Sequence, residues 1–157
     1  MAVYYKSYYL KDFNIVDVKF VEQMKFGYRV FFEDSLNCKV GEILDSKMSV
    51  TKVIYYTNIG IDGIIDFHKS NYNENVYVSI AQELISGIII THYNDTSIAL
   101  YQIETYHEDG KPKLRQEFNK DFELVEYVQC IYNEEGTLIE EKFFYADSWT
   151  IHREKMI

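Results

Sequence analysis

The chain has 157 residues, 47% of them hydrophobic and 26% charged, the balance of a folded globular domain rather than a disordered tail. Its 25 acids against 16 Lys and Arg give a net charge of −9, which argues against nucleic-acid backbones and anionic membrane surfaces as partners, because their phosphates are repelled. The length suits one domain and is short for two, so 1–157 reads as a single domain, with N-terminal strands over 1–92 and a repetitive part over 93–157.

Residue usage sets the fold class. Ile and Val together number 30, Leu and Ala only 12, and 15 Tyr and 10 Phe join them. β-Branched and aromatic side chains fit a pleated, half-buried surface, whereas Ala and Leu are the strong helix formers. The expectation is a mainly β protein: an antiparallel meander forming a curved sheet, half-barrel or sandwich, with at most one or two short helices.

In chain order, residues 2–10, 13–21 and 26–32 are rich in Tyr, Phe and Val and read as strands. Residues 39–46 read as a short strand or a turn. Residues 50–57 are strand-like again, and Asn58-Ile59-Gly60 with Asp62-Gly63 supply turn chemistry before a further extended stretch at 64–67. Residues 79–87 offer a Ser N-cap, apolar positions at 80, 81, 84 and 85 and a Gly stop; a two-turn helix and a strand running on from Val76 both stay open there. From Tyr93 the chain is repetitive. Tyr106-His107-Glu108-Asp109-Gly110 and Tyr132-Asn133-Glu134-Glu135-Gly136 share one pattern, and Phe118-Asn119-Lys120-Asp121-Phe122 keeps it but loses the glycine. Aromatic anchors at 93, 106, 118, 132 and 145 are spaced by 13, 12, 14 and 13 residues, room for one strand and one tight turn each. A Gly at the φ > 0 position after an acidic loop is what a hairpin requires, so a meander of five or six strands is expected.

Chemistry is sparse by motif. His68, His92, His107 and His152 have no His or Cys at metal-ligand spacing, so no metal or other cofactor is expected. Asp66 and His68 read as an ion pair near a turn, and His107 as a turn residue matching Asn133. Cys38 and Cys130 are isolated and read as reduced, buried thiols. Nucleophile-elbow and phosphate-loop patterns are missing, and the reading is non-enzymatic. The start carries no apolar leader, and the run Ile88-Ile89-Ile90 is far too short for a membrane span, so a cytoplasmic location without membrane or nucleic-acid partners is expected.

Acids are unevenly spread: residues 104–157 carry net −6 and residues 1–103 net −3. Strand charges such as Glu104, Glu117 and Glu126 suggest one solvated sheet face bearing acids and aromatics together. As a docking face for a basic protein, it would use Asp109, Glu123, Glu126, Glu134, Glu135, Glu140 and Glu141 for steering, with Tyr132, Tyr145 and Trp149 as anchors.

The Tyr-x-Glu-x-Gly turns over residues 93–149 resemble the hairpin repeats of tyrosine-aspartate (YD) and MORN-type repeat proteins. As a small, acidic, Ile/Tyr/Asn-rich β protein, the whole chain resembles immunity proteins of bacterial polymorphic toxin and contact-dependent inhibition systems. That resemblance implies a cytoplasmic antitoxin that binds and blocks a cognate, basic toxin domain, such as a secreted nuclease. The alternative is a small-molecule-binding or enzymatic β-barrel-like domain with an internal aromatic cavity.

Overall fold

The computed structural model describes residues 27–146 throughout and the backbone of 3–5, 15–16 and 151–156. Its strands are β1 (Val3–Tyr5), β2 (Ile15–Val16), β3 (Gly27–Glu33), β4 (Cys38–Leu44), β5 (Val50–Tyr56), β6 (Tyr77–Leu84), β7 (Gly87–Asn94), β8 (Ser97–Tyr106), β9 (Pro112–Asn119), β10 (Leu124–Tyr132), β11 (Leu138–Tyr145) and β12 (Ile151–Met156). They form one sheet in the order β12-β11-β10-β9-β8-β7-β6-β5-β4-β3-β1-β2. The sheet is open, since β12 and β2 end it without pairing to each other. The mainly β, antiparallel meander expected from composition is the fold, and it begins at β6, one hairpin before the visible repeats.

One joint breaks the antiparallel pattern. β5 and β6 are parallel neighbours, with Val53 opposite Val78 and Tyr55 opposite Ile80. Parallel strands cannot be joined by a tight turn, so residues 57–76 make a crossover over one face of the sheet. The crossover contains a 3-10 turn (Ile61–Gly63) and the helix α1 (Ile65–Asn71). This corrects the extended reading of 64–67. Ile61, Ile64, Ile65, His68 and Tyr72 recur at helical spacing, and that stripe packs onto Val40, Val53, Tyr55, Val78 and Ile80. The surface pair expected of Asp66 and His68 is also absent. His68 is buried, with Nδ1 3.0 Å from the Tyr55 hydroxyl and Nε2 3.0 Å from the Val76 carbonyl, so it pins the crossover to the sheet.

Residues 79–87 are the end of β6 and the turn into β7, not a helix, because Ser79 to Leu84 pair with His92 to Gly87. Residues 39–46 resolve as strand β4. Of the strands expected over 2–10 and 13–21, β1 and β2 are the parts within the described residues.

Both faces of the sheet carry apolar clusters. The outer one lies under α1, and the inner one joins Ile54, Ala81, Ile88 and Ile90 with Ile43, Tyr56 and Tyr106 packed on it. The inner face is again buried at β10 and β11, where Val128, Cys130, Glu141 and Phe143 are each less than a tenth exposed. Among the described residues no helix covers that face. The Tyr28 hydroxyl meets the Tyr56 hydroxyl across this face. Only glycine fits at position 41 on the strand between them, because any Cβ there would run into the Tyr28 ring.

Candidate functional site

The C-terminal turns are built on one plan. In each, the fourth residue donates back to the first and the loop is closed by a second backbone bond: Gly110 N to His107 O at 2.9 Å, Phe122 N to Asn119 O at 3.0 Å, and Gly136 N to Asn133 O at 2.9 Å. That fourth residue is left-handed, with φ of 84° at Gly110, 63° at Phe122 and 78° at Gly136. Asn119 stabilises the middle turn by accepting from the backbone N–H of Asp121 and Glu123 at 3.0 and 2.9 Å. Phe122 therefore occupies, with a bulky side chain, a conformation that its two sister turns reserve for glycine. Met48 does the same at φ 62° in the β4–β5 turn, but Met48 is half-buried whereas Phe122 is 51% exposed. The Phe122 ring stacks on Phe118 at 4.7 Å and meets the Tyr101 ring edge-on at 5.1 Å, forming an aromatic platform on the outer face.

The acids named from the sequence do not share one face. Asp109, Glu134 and Glu135 are exposed on the β8–β9 and β10–β11 turns at one end of the strands, and Glu123 is exposed on the β9–β10 turn at the other. Glu126 is half-buried on the inner face, opposite Glu117 and Tyr145. Glu140 is largely covered and lies 3.9 Å from Lys142. Glu141 is buried on the inner face opposite Cys130, so in this conformation it is withdrawn from any docking surface. Tyr132 is a brace: its hydroxyl donates to the Pro112 carbonyl, while Lys111 and His107 pack on its ring. Tyr145 is 53% exposed, and Trp149 lies outside the described residues.

Sequence reasoning passed over the polar content of the inner face. Glu104 is buried there, accepting from the Tyr106 hydroxyl and from Gln102 Nε2 at 2.7 Å, beside Arg115 on β9. Burial raises its pKa, against the pull of Tyr106, Arg115 and Gln102. One row along, the Ser79 hydroxyl lies 2.8 Å from His92 Nδ1, and Lys52 Nζ lies 3.5 Å from the same nitrogen. An ammonium only donates, so Nδ1 is the acceptor and the ring proton sits on Nε2. Burial first, and the Lys52 charge second, push His92 down to about 4, opposed by Gln102. Burial also lowers Lys52, and Glu117 opposes that shift. These side chains come from β5, β6, β7, β8 and β9, and line a cleft of about 570 Å³. Ser79 is wholly buried, so its hydroxyl orients the imidazole and is closed to a substrate.

Cys38 and Cys130 are both buried and free, and burial raises both thiols, Cys130 to about 11. Among the described residues no helix is long and apolar enough to cross a membrane. No protein-family model matches the sequence, and no curated protein is significantly similar to it.

Proposed function

We propose that this chain is a non-enzymatic protein-binding module of the immunity type, which holds a basic toxin domain through the Tyr101–Phe118–Phe122 platform and the acids beside it. The observation that carries the reading is Phe122. A side chain in the left-handed region costs about 1–2 kcal/mol. The ring contacts with Phe118 and Tyr101 give back about 0.5–1.5 kcal/mol. Within the fold the choice of Phe over Gly therefore roughly breaks even, yet it leaves a large apolar ring half in water. Strained, exposed aromatic residues gather where a partner uses them.

Charge supports the same reading. Asp121 and Glu123 are exposed on the Phe122 turn, and Lys120 is the one base within it. Acids around an apolar anchor steer a basic partner in and keep like-charged proteins away. The anchor moves from the Tyr132 expected from the sequence to Phe122, because Tyr132 is occupied within its own hairpin.

The test is co-expression with the domain encoded immediately upstream, followed by calorimetry with wild type and Phe122→Gly. The wild type should form a 1:1 complex. Phe122→Gly should stay within about 1 kcal/mol of wild-type stability, because strain relief offsets the lost stacking. Its affinity should fall at least about tenfold, mostly through faster dissociation. Absence of a wild-type complex, or wild-type affinity in the glycine variant, would overturn the reading.

A further inference from the structure

The inner-face cleft has a use that does not depend on protein docking. Lys52 and Glu117 line it together, and the Glu117 charge acts on Lys52, yet they make no ion pair among the described residues. Two opposite, partly desolvated charges with a gap between them are held apart at a price unless something complementary fills the gap. His92 adds to the imbalance. Its Nε2 is buried and makes no hydrogen bond of ordinary geometry, although Gln102 lies beside it. The cleft thus offers an ammonium from β5 and a carboxylate from β9, neither in an ion pair among the described residues. Its volume of about 570 Å³ suits a small molecule.

We propose that this cleft binds a small amino-carboxylate zwitterion, whose carboxylate is taken by Lys52, beside the His92 ring, and whose ammonium is taken by Glu117. Ser79 fixes the imidazole through Nδ1, which holds the ring beside the Lys52 ammonium. The reach between Lys52 and Glu117 sets the length of the ligand. A series of ω-amino acids, each one methylene longer than the last, therefore measures the gap directly.

The experiment titrates glycine, 3-aminopropanoate and 4-aminobutanoate into the ¹⁵N-labelled full chain at neutral pH, reading the His92 ring nitrogens. Acetate and methylammonium at equal concentration are the half-molecule controls. One member of the series should shift the His92 resonances saturably and bind at least about tenfold more tightly than acetate. Lys52→Met and Glu117→Gln should each weaken that binding roughly tenfold while the amide spectrum keeps its dispersion. Should Lys52→Met fail to fold, Glu117→Gln, which exchanges one oxygen for an amide nitrogen, decides alone. The proposal is overturned if no zwitterion saturates, if acetate binds as tightly as the best of them, or if Glu117→Gln binds like wild type. None of these outcomes bears on the Phe122 platform, which lies on the other face.

Discussion

His92 makes the stability of this protein depend on pH in a defined window. Its folded pKa of about 4 lies below the ordinary 6.5, so between those values the unfolded chain binds a proton that the folded chain refuses. Stability is therefore full above pH 6.5 and falls as the pH drops toward 4, by about 3 kcal/mol in all. Replacing His92 with Gln should flatten that slope in urea titrations taken between pH 4 and 7. An unchanged slope would mean that another group sets it.

Glu104 works in the opposite direction. Its raised folded pKa means that the folded chain holds the proton more tightly than the unfolded one. The stability this contributes is complete below the ordinary carboxyl value of 4.5 and is lost as pH rises through the folded value. Near neutrality the buried charge is a burden that Gln102, Tyr106 and Arg115 only partly relieve. Glu104→Gln should thus be at least as stable as wild type at pH 7, and its advantage should shrink toward pH 4. A loss of more than about 2 kcal/mol at pH 7 would show that the carboxylate itself holds the inner face together.

At the scale of elements, the turns and the crossover differ in how openly the sequence declares them. The 12–14-residue beat of Tyr and Phe, closed by Gly110 and Gly136, marks the β8–β11 hairpins because each strand has an aromatic residue at or next to its end and each loop needs a left-handed position. Gly110→Ala should cost about 1 kcal/mol in thermal or chemical unfolding, since φ of 84° is open to glycine and strained for alanine. The missing glycine at 122 was legible in the repeat, and its meaning was not, because only the folded turn shows where the ring goes. The crossover was hidden for a different reason. Residues 61–72 carry a helical stripe, but Gly60, Gly63 and the short length make it read as loop and strand. What fixes it as a helix is the parallel joint it spans, which is a property of the sheet.

For the whole molecule, composition and periodicity were enough for sheet class and meander, because both follow from local preference. They were not enough for the charged sites. Lys52, Ser79, His92 and Glu117 stand on four different strands and come together only when those strands pair. Likewise, period-two alternation in β11 puts Glu141 and Phe143 on one face without saying that this face is the inner one. Acid counts therefore overstated the docking surface. Some of those acids are interior groups, and the exposed ones divide between the two ends of the strands.

The parallel β5–β6 joint also bears on how the chain reaches its fold. From β6 to β12 every pairing is between neighbours in sequence, so this part closes by short loops and needs no distant contact. β3 to β5 is a second such series. The two are joined only after residues 57–76 have looped over and α1 has docked, which is the one long closure between them. Refolding should then show amide protection on β7–β10 before protection across β5 and β6 in pulsed hydrogen exchange. Ile64→Ala, which empties a wholly buried position of the crossover, should slow the second event and leave the first untouched. The seam so defined falls between two stacks of hairpins, and the cleft straddles it, with Lys52 on one side and Ser79, His92 and Glu117 on the other. A ligand that bridges Lys52 to Glu117 would act as a clasp between two independently collapsing halves.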